Sequence, residues 1–224
     1  MSTTRTQEFF QKYAGDFDAI YANQDGVFNR VINHLFRKSM QLRFLKTMEV
    51  CEPVTGKTVL DIGCGPGHYS IALAKRGAVK VIGLDFAEEM IALAEQHAQA
   101  QGVSSQCQFL NRDLFTYTSA EPFDRIVVMG VMDYMQEPVK VIEKVLSLCK
   151  DRCFFSFPEA GGFLAWQRKF RYRNRCELYM YTQAQLEEMF RAIPDVKAKI
   201  EPIARDFFVT VEKNQSMIVA LHLH

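Results

Sequence analysis

Several organising features are missing from this 224-residue chain, and each absence narrows the reading. Six cysteines stand at 51, 64, 107, 149, 153 and 176 with no C-x-x-C pair. In a chain of this size they read as reduced, mostly buried thiols of a cytosolic protein, not as a disulfide framework. Cys149 and Cys153 have no nearby histidine, so no metal centre is expected. An excess of one charge is also lacking: 27 basic against 26 acidic residues leave a net charge of +1. That removes the global electrostatic footprint of a nucleic-acid or anionic-membrane binder. No apolar run reaches the roughly 20 residues of a membrane span, and the opening MSTTRTQEFFQK has no signal-peptide core. Without repeats or low-complexity linkers, the chain reads as one domain.

What is present centres on residues 59–70, VLDIGCGPGHYS. Val59, Leu60 and Ile62 form a short apolar run, read as a buried strand. Gly63, Gly65 and Gly67 then alternate with Cys64 and Pro66 before a helical pattern with Ile71, Ala74 and Ala78 on one face. Strand, glycine turn and helix open a doubly wound α/β sheet, whose ligands dock at that turn. A dinucleotide fingerprint needs G-x-G-x-x-G. Counted from Gly63, its third glycine is replaced by His68, which disfavours an NAD(P)-linked oxidoreductase.

Later segments repeat the alternation. Lys80 to Asp85 reads as a second strand with an acid at its end. Cys107 to Leu114 reads as a third strand and its loop, Phe123 to Met129 as a fourth, and Arg152 to Phe157 as a fifth. Residues 6 to 50 look helical, with Phe9, Phe10, Tyr13 and Phe17 at helical spacing. The pattern breaks at Asp25-Gly26 and resumes over Val27 to Val50 with Val31, Leu35, Leu42 and Leu45. Pro138 opens a helix with Val141, Val145 and Leu148 inward. Thr182 and Gln185 make a capping box. Two β-rich runs, Val196 to Val211 and Ser216 to Leu223, close the chain as a strand pair.

The D-x-G-x-G-x-G motif with Asp85 and Asp113 downstream resembles the class I S-adenosylmethionine (SAM)-dependent methyltransferases over roughly residues 55 to 160. A fainter similarity, to magnesium-protoporphyrin O-methyltransferases, lies in FDRIVVMGVMDYM, the aromatic-basic insert and RDFFV. The resemblance implies a Rossmann-like, doubly wound seven-stranded sheet with an antiparallel last strand and N-terminal helices capping the cofactor site. It implies four parts: 1–52 the helical cap, 53–157 the SAM-binding core, 158–181 a basic insert, and 182–224 the C-terminal helix and strand pair. It places Asp85 on the ribose hydroxyls and Asp113 on the adenine amino group, with Leu114 against the ring. Asp61, Gly63, Cys64, Gly65, Phe86, Met90 and Met129 complete the expected cofactor contacts, and Tyr21 is a lid over the methyl donor. A serine common in the family two places after the ribose acid is Ala87 here.

The implied activity is methyl transfer from SAM to a small molecule, at oxygen. The Asn/Asp-Pro-Pro-aromatic motif of DNA amine methylases is replaced by GVMDYM, and no Pro-Cys pair supplies a cytosine nucleophile, so nucleic acid is not the expected partner. If the acceptor is a hydroxyl, a base helps; His68, Asp133, Tyr134 and Glu159 are the candidates at strand ends. Five basic residues among 166–175 include Arg168, Arg171 and Arg175, which could share a helical face. They would suit an anionic acceptor, because arginine grips carboxylate or phosphate with two donors. A non-catalytic SAM-binding module is the competing reading.

Overall fold

The computed structural model describes residues 27–161 and 177–214, with side chains from residue 38 onward. Helix α1 spans Val27–Val50. Then follow β1 (Thr58–Ile62), α2 (His68–Lys75), β2 (Lys80–Asp85), α3 (Glu88–Ala100), β3 (Cys107–Asn111) and β4 (Phe123–Val128). A short 3-10 turn over Met132–Tyr134 leads to α4 (Pro138–Leu148), β5 (Cys149–Pro158), α5 (Gln183–Arg191), β6 (Val196–Ile203) and β7 (Asp206–Lys213).

The strands form one seven-stranded sheet in the order β3-β2-β1-β4-β5-β7-β6. β1 to β5 are parallel, and β7 is antiparallel to both β5 and β6. Helices cover both faces, so β1 and β4 carry buried residues on either side, as parallel sheets require. Leu60, Ile82, Ile126 and Phe155 pack with α4 and α5 on one face. Val59, Val81, Val127 and Phe154 pack with α1, α2 and α3 on the other. Strand order reverses between β1 and β4, so their carboxyl ends flank the crevice where such sheets bind ligands.

Local chemistry explains the boundaries. Glu88 and Glu89 meet the positive end of α3. Pro138 occupies the first turn of α4, where a missing N–H costs nothing. The Thr182 hydroxyl accepts from Gln185 N while Gln185 returns an acceptor to Thr182 N, the reciprocal capping box.

Four expectations need correction. Helix α2 stops at Lys75, so Ala78 is buried beyond it rather than along its face. Strand β5 begins at Cys149, three residues before Arg152. The terminal strand pair lies wholly within 196–213, folded back at Ala204, whose φ of 53° makes the turn without a glycine; Ser216 to Leu223 is outside the described residues. Leu42 and Leu45 of α1 are 36% and 53% exposed. The inward face instead carries Ser39, Arg43 and Thr47, spaced four apart, with Met48 beside them and Cys51 just past the helix end. Ser39, Thr47 and Cys51 are buried, and the Arg43 side chain is 13% exposed. A helix with polar residues on its covered face must have partners for them, and those partners build the site.

Candidate active site

The glycine turn joins β1 to α2. The N–H groups of Gly63 and Cys64 donate to Leu84 O at 2.8 and 3.0 Å, binding the turn to the end of β2. Its glycines serve different ends. A Cβ on Gly63 would run into Val131 Cγ2, so the loop after β4 closes on the turn there. At Gly65, with φ of 51°, a Cβ would meet nothing within 4 Å. Gly65 is therefore the bare, open surface of the turn, where a ligand can approach the backbone. Gly83 of β2 was not singled out from the sequence. A Cβ there would come within 2.6 Å of Phe109 Cδ1 and 2.9 Å of Cys64 Sγ, so its absence lets the turn sit down on the sheet.

Two aspartates hold this turn, and a third, Asp113, stands in its own turn after β3. Asp61 is 1% exposed, and its Oδ2 accepts from Ser70 N at 3.1 Å and Ser70 Oγ at 2.7 Å. Burial pushes its carboxyl up to about 7, against the opposing pull of the Ser70 bonds. It braces the first turn of α2 from below. Asp85 ends β2; its Oδ2 accepts from Gly65 N at 2.9 Å and its Oδ1 from Ala87 N at 3.0 Å. Burial raises its carboxyl above the ordinary range, opposed by those backbone donors. The second bond closes a local turn just before α3, whose N-cap position, Ala87, has no side-chain cap. Asp113 is exposed, its Oδ1 accepting from Phe115 N at 2.8 Å in a local turn after β3.

Other expected contacts fall along the same edge. Cys64 is buried, its thiol 3.6 Å from Gly65 O and raised well above its ordinary value by burial. Met90 packs with Ala87 and the half-buried Phe86. Leu114 is buried after β3 and Met129 after β4. Tyr21, Arg168, Arg171 and Arg175 lie outside the described residues.

The base candidates separate. His68 begins α2 with its ring exposed, stacked on His97 of α3 at 6.1 Å between centroids. His97 Nδ1 lies 3.0 Å from Pro66 O, which ties α3 to the turn. Asp133 is 2% exposed within the 3-10 turn, Tyr134 is half-buried and Glu159 is exposed. Tyr179 N donates to Asp133 O, and the Tyr181 hydroxyl reaches Met132 O at 3.5 Å. Residues 179–181 are thereby laid across the ends of β4 and β5.

The sequence reading missed Arg43. Its Nη1 donates to Ser156 Oγ at 3.2 Å and lies 3.6 Å from Asp206 Oδ2. Ser156 Oγ also accepts from Gly130 N at 2.8 Å, and Ser39 Oγ donates to Asp206 at 3.3 Å. Burial acts against the guanidinium charge, but Tyr69, Asp206 and Asp133 outweigh it and raise its pKa. Arg43 Nε is buried and has no hydrogen-bond partner among the described residues. A buried donor on a charged group left unpaired is costly, and a ligand anion would satisfy it. An amphipathic pattern search rewards apolar spacing and passes over such a residue; Ser39, Arg43 and Thr47, spaced four apart in α1, were the available signal.

A nucleoside carrying a charged amino-acid tail fits these features: a bare turn at Gly65, a carboxylate at Asp85 and an arginine with an idle donor across the switch point. Comparisons with known proteins bear on the family and the fold. A family model described as a methyltransferase domain matches residues 53–200. The ubiquinone biosynthesis O-methyltransferase of Coxiella burnetii (strain RSA 493 / Nine Mile phase I) is 33% identical over 152 residues, 67% of this chain and 58% of its own length. That of Haemophilus ducreyi is 35% identical over 113 residues, 49% of this chain and 48% of its own. This chain thus spans under two thirds of those relatives. In fold it is similar to magnesium protoporphyrin IX methyltransferase from Synechocystis PCC 6803 with bound SAH (S-adenosylhomocysteine), at TM-score 0.75 and 21% identity, covering 92% of this chain and 97% of the other. The cyclase SpnF also shares the fold, at TM-score 0.64 and 16% identity over 93% and 96% of the two chains, so layout by itself does not name the chemistry. With the family model covering more than half the sequence and the motif built as described, the chain belongs to the class I SAM-dependent methyltransferases.

Proposed function

We propose that this protein transfers the methyl group of SAM to an oxygen of a small-molecule acceptor. The observation that carries the reading is the pair of features facing the switch point: the open Gly65 turn tied to Asp85, and Arg43 with an unpartnered Nε. When bound, SAM supplies a methyl group already activated on a cationic sulfur. The chain has to hold, align and shield. Asp85 keeps lone pairs for the ribose hydroxyls while its backbone donors fix its rotamer. Asp113 accepts from the adenine amino group. Arg43 turns its idle edge to the donor carboxylate, a charge-assisted contact. In-line displacement then depends on placing the acceptor oxygen and excluding water, where most of the rate gain can arise.

Oxygen as the acceptor atom is supported by the names of the relatives. Asp133 and Tyr134 lie after β4, where reacting groups collect in open α/β sheets, and serve as the groups that meet the acceptor or take its proton. His68 is less well placed, because its ring rests on α3. The basic insert selects an anionic acceptor. Support comes from its flanks: Ala160 N donates to Tyr181 O at 2.7 Å and Tyr179 N to Asp133 O at 2.8 Å, holding both sides of residues 162–176 near the ends of β4 and β5. We also read the four-part division of the chain as functional, with the cap covering the donor. Free thiols at the five described cysteines suit a reducing, cytosolic setting. Among the described residues no helix is long and apolar enough to cross a membrane.

The test is a methyl-transfer screen over phenols and carboxylic acids, read as release of S-adenosylhomocysteine. Turnover with an oxygen acceptor is expected. SAM binding without turnover on any acceptor class would favour a regulatory module.

A further inference from the structure

The orphaned Nε of Arg43 is useful only if the guanidinium is held in one orientation. Arginine is long and flexible, yet its head is a rigid plane, so fixing one edge sets the direction of the other. Three groups border that head. Asp206 lies 3.6 Å from Nη1, beyond good hydrogen-bond distance, and supplies charge more than aim. Tyr69 of α2 is one of the groups that favour the guanidinium charge, and α2 is itself carried by the turn that would meet the donor. Ser156 differs from both. It is 1% exposed and sits on β5, paired to Phe208 of β7, next to Phe155, which pairs with Val128 of β4. Its hydroxyl accepts from two donors at once: Arg43 Nη1 at 3.2 Å and the backbone N–H of Gly130 at 2.8 Å. A serine oxygen has two lone pairs, so both are committed. Gly130 has φ of 73°, and a Cβ there would lie 3.6 Å from Arg43 Nη1 and Nη2. The loop leaving β4 and the guanidinium are thus packed together and joined through one hydroxyl.

We infer that Ser156 is a positioning residue that locks Arg43 and the Gly130 loop in a single arrangement, making recognition of the donor dependent on its carboxylate. The inference rests on reading Arg43 as the carboxylate contact, and the experiment separates the two. Binding of S-adenosylhomocysteine is compared by calorimetry with binding of 5′-deoxy-5′-methylthioadenosine, the same thioether nucleoside without the amino-acid tail. Arg43→Ala should weaken the first ligand about 10-fold or more and leave the second within about twofold, as expected for a lost charged hydrogen bond. Ser156→Ala should weaken the first about 3- to 10-fold with the same selectivity, the range of a neutral hydrogen bond. Ser156→Thr, which keeps the hydroxyl, should restore it. The double variant Arg43→Ala/Ser156→Ala should bind no more weakly than Arg43→Ala, because the serine acts through the arginine.

A merely structural role for Ser156 would weaken both ligands alike. Equal loss, or none, with Arg43→Ala still selective, overturns the Ser156 inference and leaves the Arg43 reading standing. An unselective Arg43→Ala overturns both. If Ser156→Ala does not fold, Ser156→Cys keeps the size and replaces the oxygen with a weak acceptor, and the same selective loss is expected.

Discussion

The two sides of the switch point are built in different ways. On the β1–β2–β3 side, where we propose that the donor's nucleoside binds, the device is compact: residues 61–70 and Asp85, joined by short hydrogen bonds and closed by local turns. On the β4–β5–β7 side the groups come from Arg43, Gly130, Asp133, Ser156 and Asp206, spread over more than 160 residues. The first side uses backbone N–H groups to aim carboxylates. The second uses side chains to aim a side chain. A backbone device tolerates change in its neighbours but not in its glycines, whereas a side-chain network couples distant strands and can be retuned one residue at a time.

That contrast can be broken, first and most strongly, at Asp61. Its folded value of about 7 lies above the ordinary 3.8, so the folded protein keeps this proton over a range where the unfolded chain has released it. Its contribution to stability is therefore full below about pH 4 and is lost as pH rises through about 7. A shift of that size corresponds to on the order of 4 kcal/mol across the window. Asp61→Asn should remove this component of the slope in denaturant melts between pH 4 and 8; an unchanged slope would show that Asp61 titrates normally.

Next in size is Asp85→Ala, expected to weaken donor binding by about 1.5–3 kcal/mol, from lost charged hydrogen bonds, while the fold is retained. Calorimetric titration with SAM measures it, and unaltered affinity would remove the ribose assignment. A matched glycine pair then separates packing from binding on the compact side. Gly83→Ala drives a methyl into Phe109 and Cys64, with an expected stability loss of about 1–3 kcal/mol by overpacking. Gly65→Ala meets open space but keeps a left-handed φ, so it should cost about 1–2 kcal/mol of stability and lose SAM affinity as well. Equal behaviour of the two variants would contradict the distinct roles given to these glycines. The smallest effect is expected from the basic insert. Neutralising Arg168, Arg171 and Arg175 together should raise KM for an anionic acceptor several-fold and leave SAM binding unchanged, since single charge pairs contribute little.

The compact side was legible because its physics is local. Alternating glycines, an acid at the end of an apolar run and a helix immediately after require nothing from the rest of the chain, so β1, β2, β4, α4 and the α5 capping box fell close to their expected places. Where distant parts meet, pattern failed. Leu42 and Leu45 promised an apolar inner face for α1, but the helix turns Ser39, Arg43 and Thr47 inward. The hairpin at Ala204 lacks the glycine or asparagine that signals such a turn, so one β-rich run concealed two strands.

By itself, then, the sequence determined the order of the first five strands and their helices, the nucleotide-type turn and the acids that end β2 and follow β3, because these depend on backbone geometry and on residues a few places apart. Tertiary structure alone decided that Arg43 is buried with one donor idle, that Ser156 holds it, and that Asp61 is enclosed enough to titrate near neutrality. Desolvation and hydrogen-bond satisfaction are properties of the assembled surroundings, and no short stretch of chain carries them.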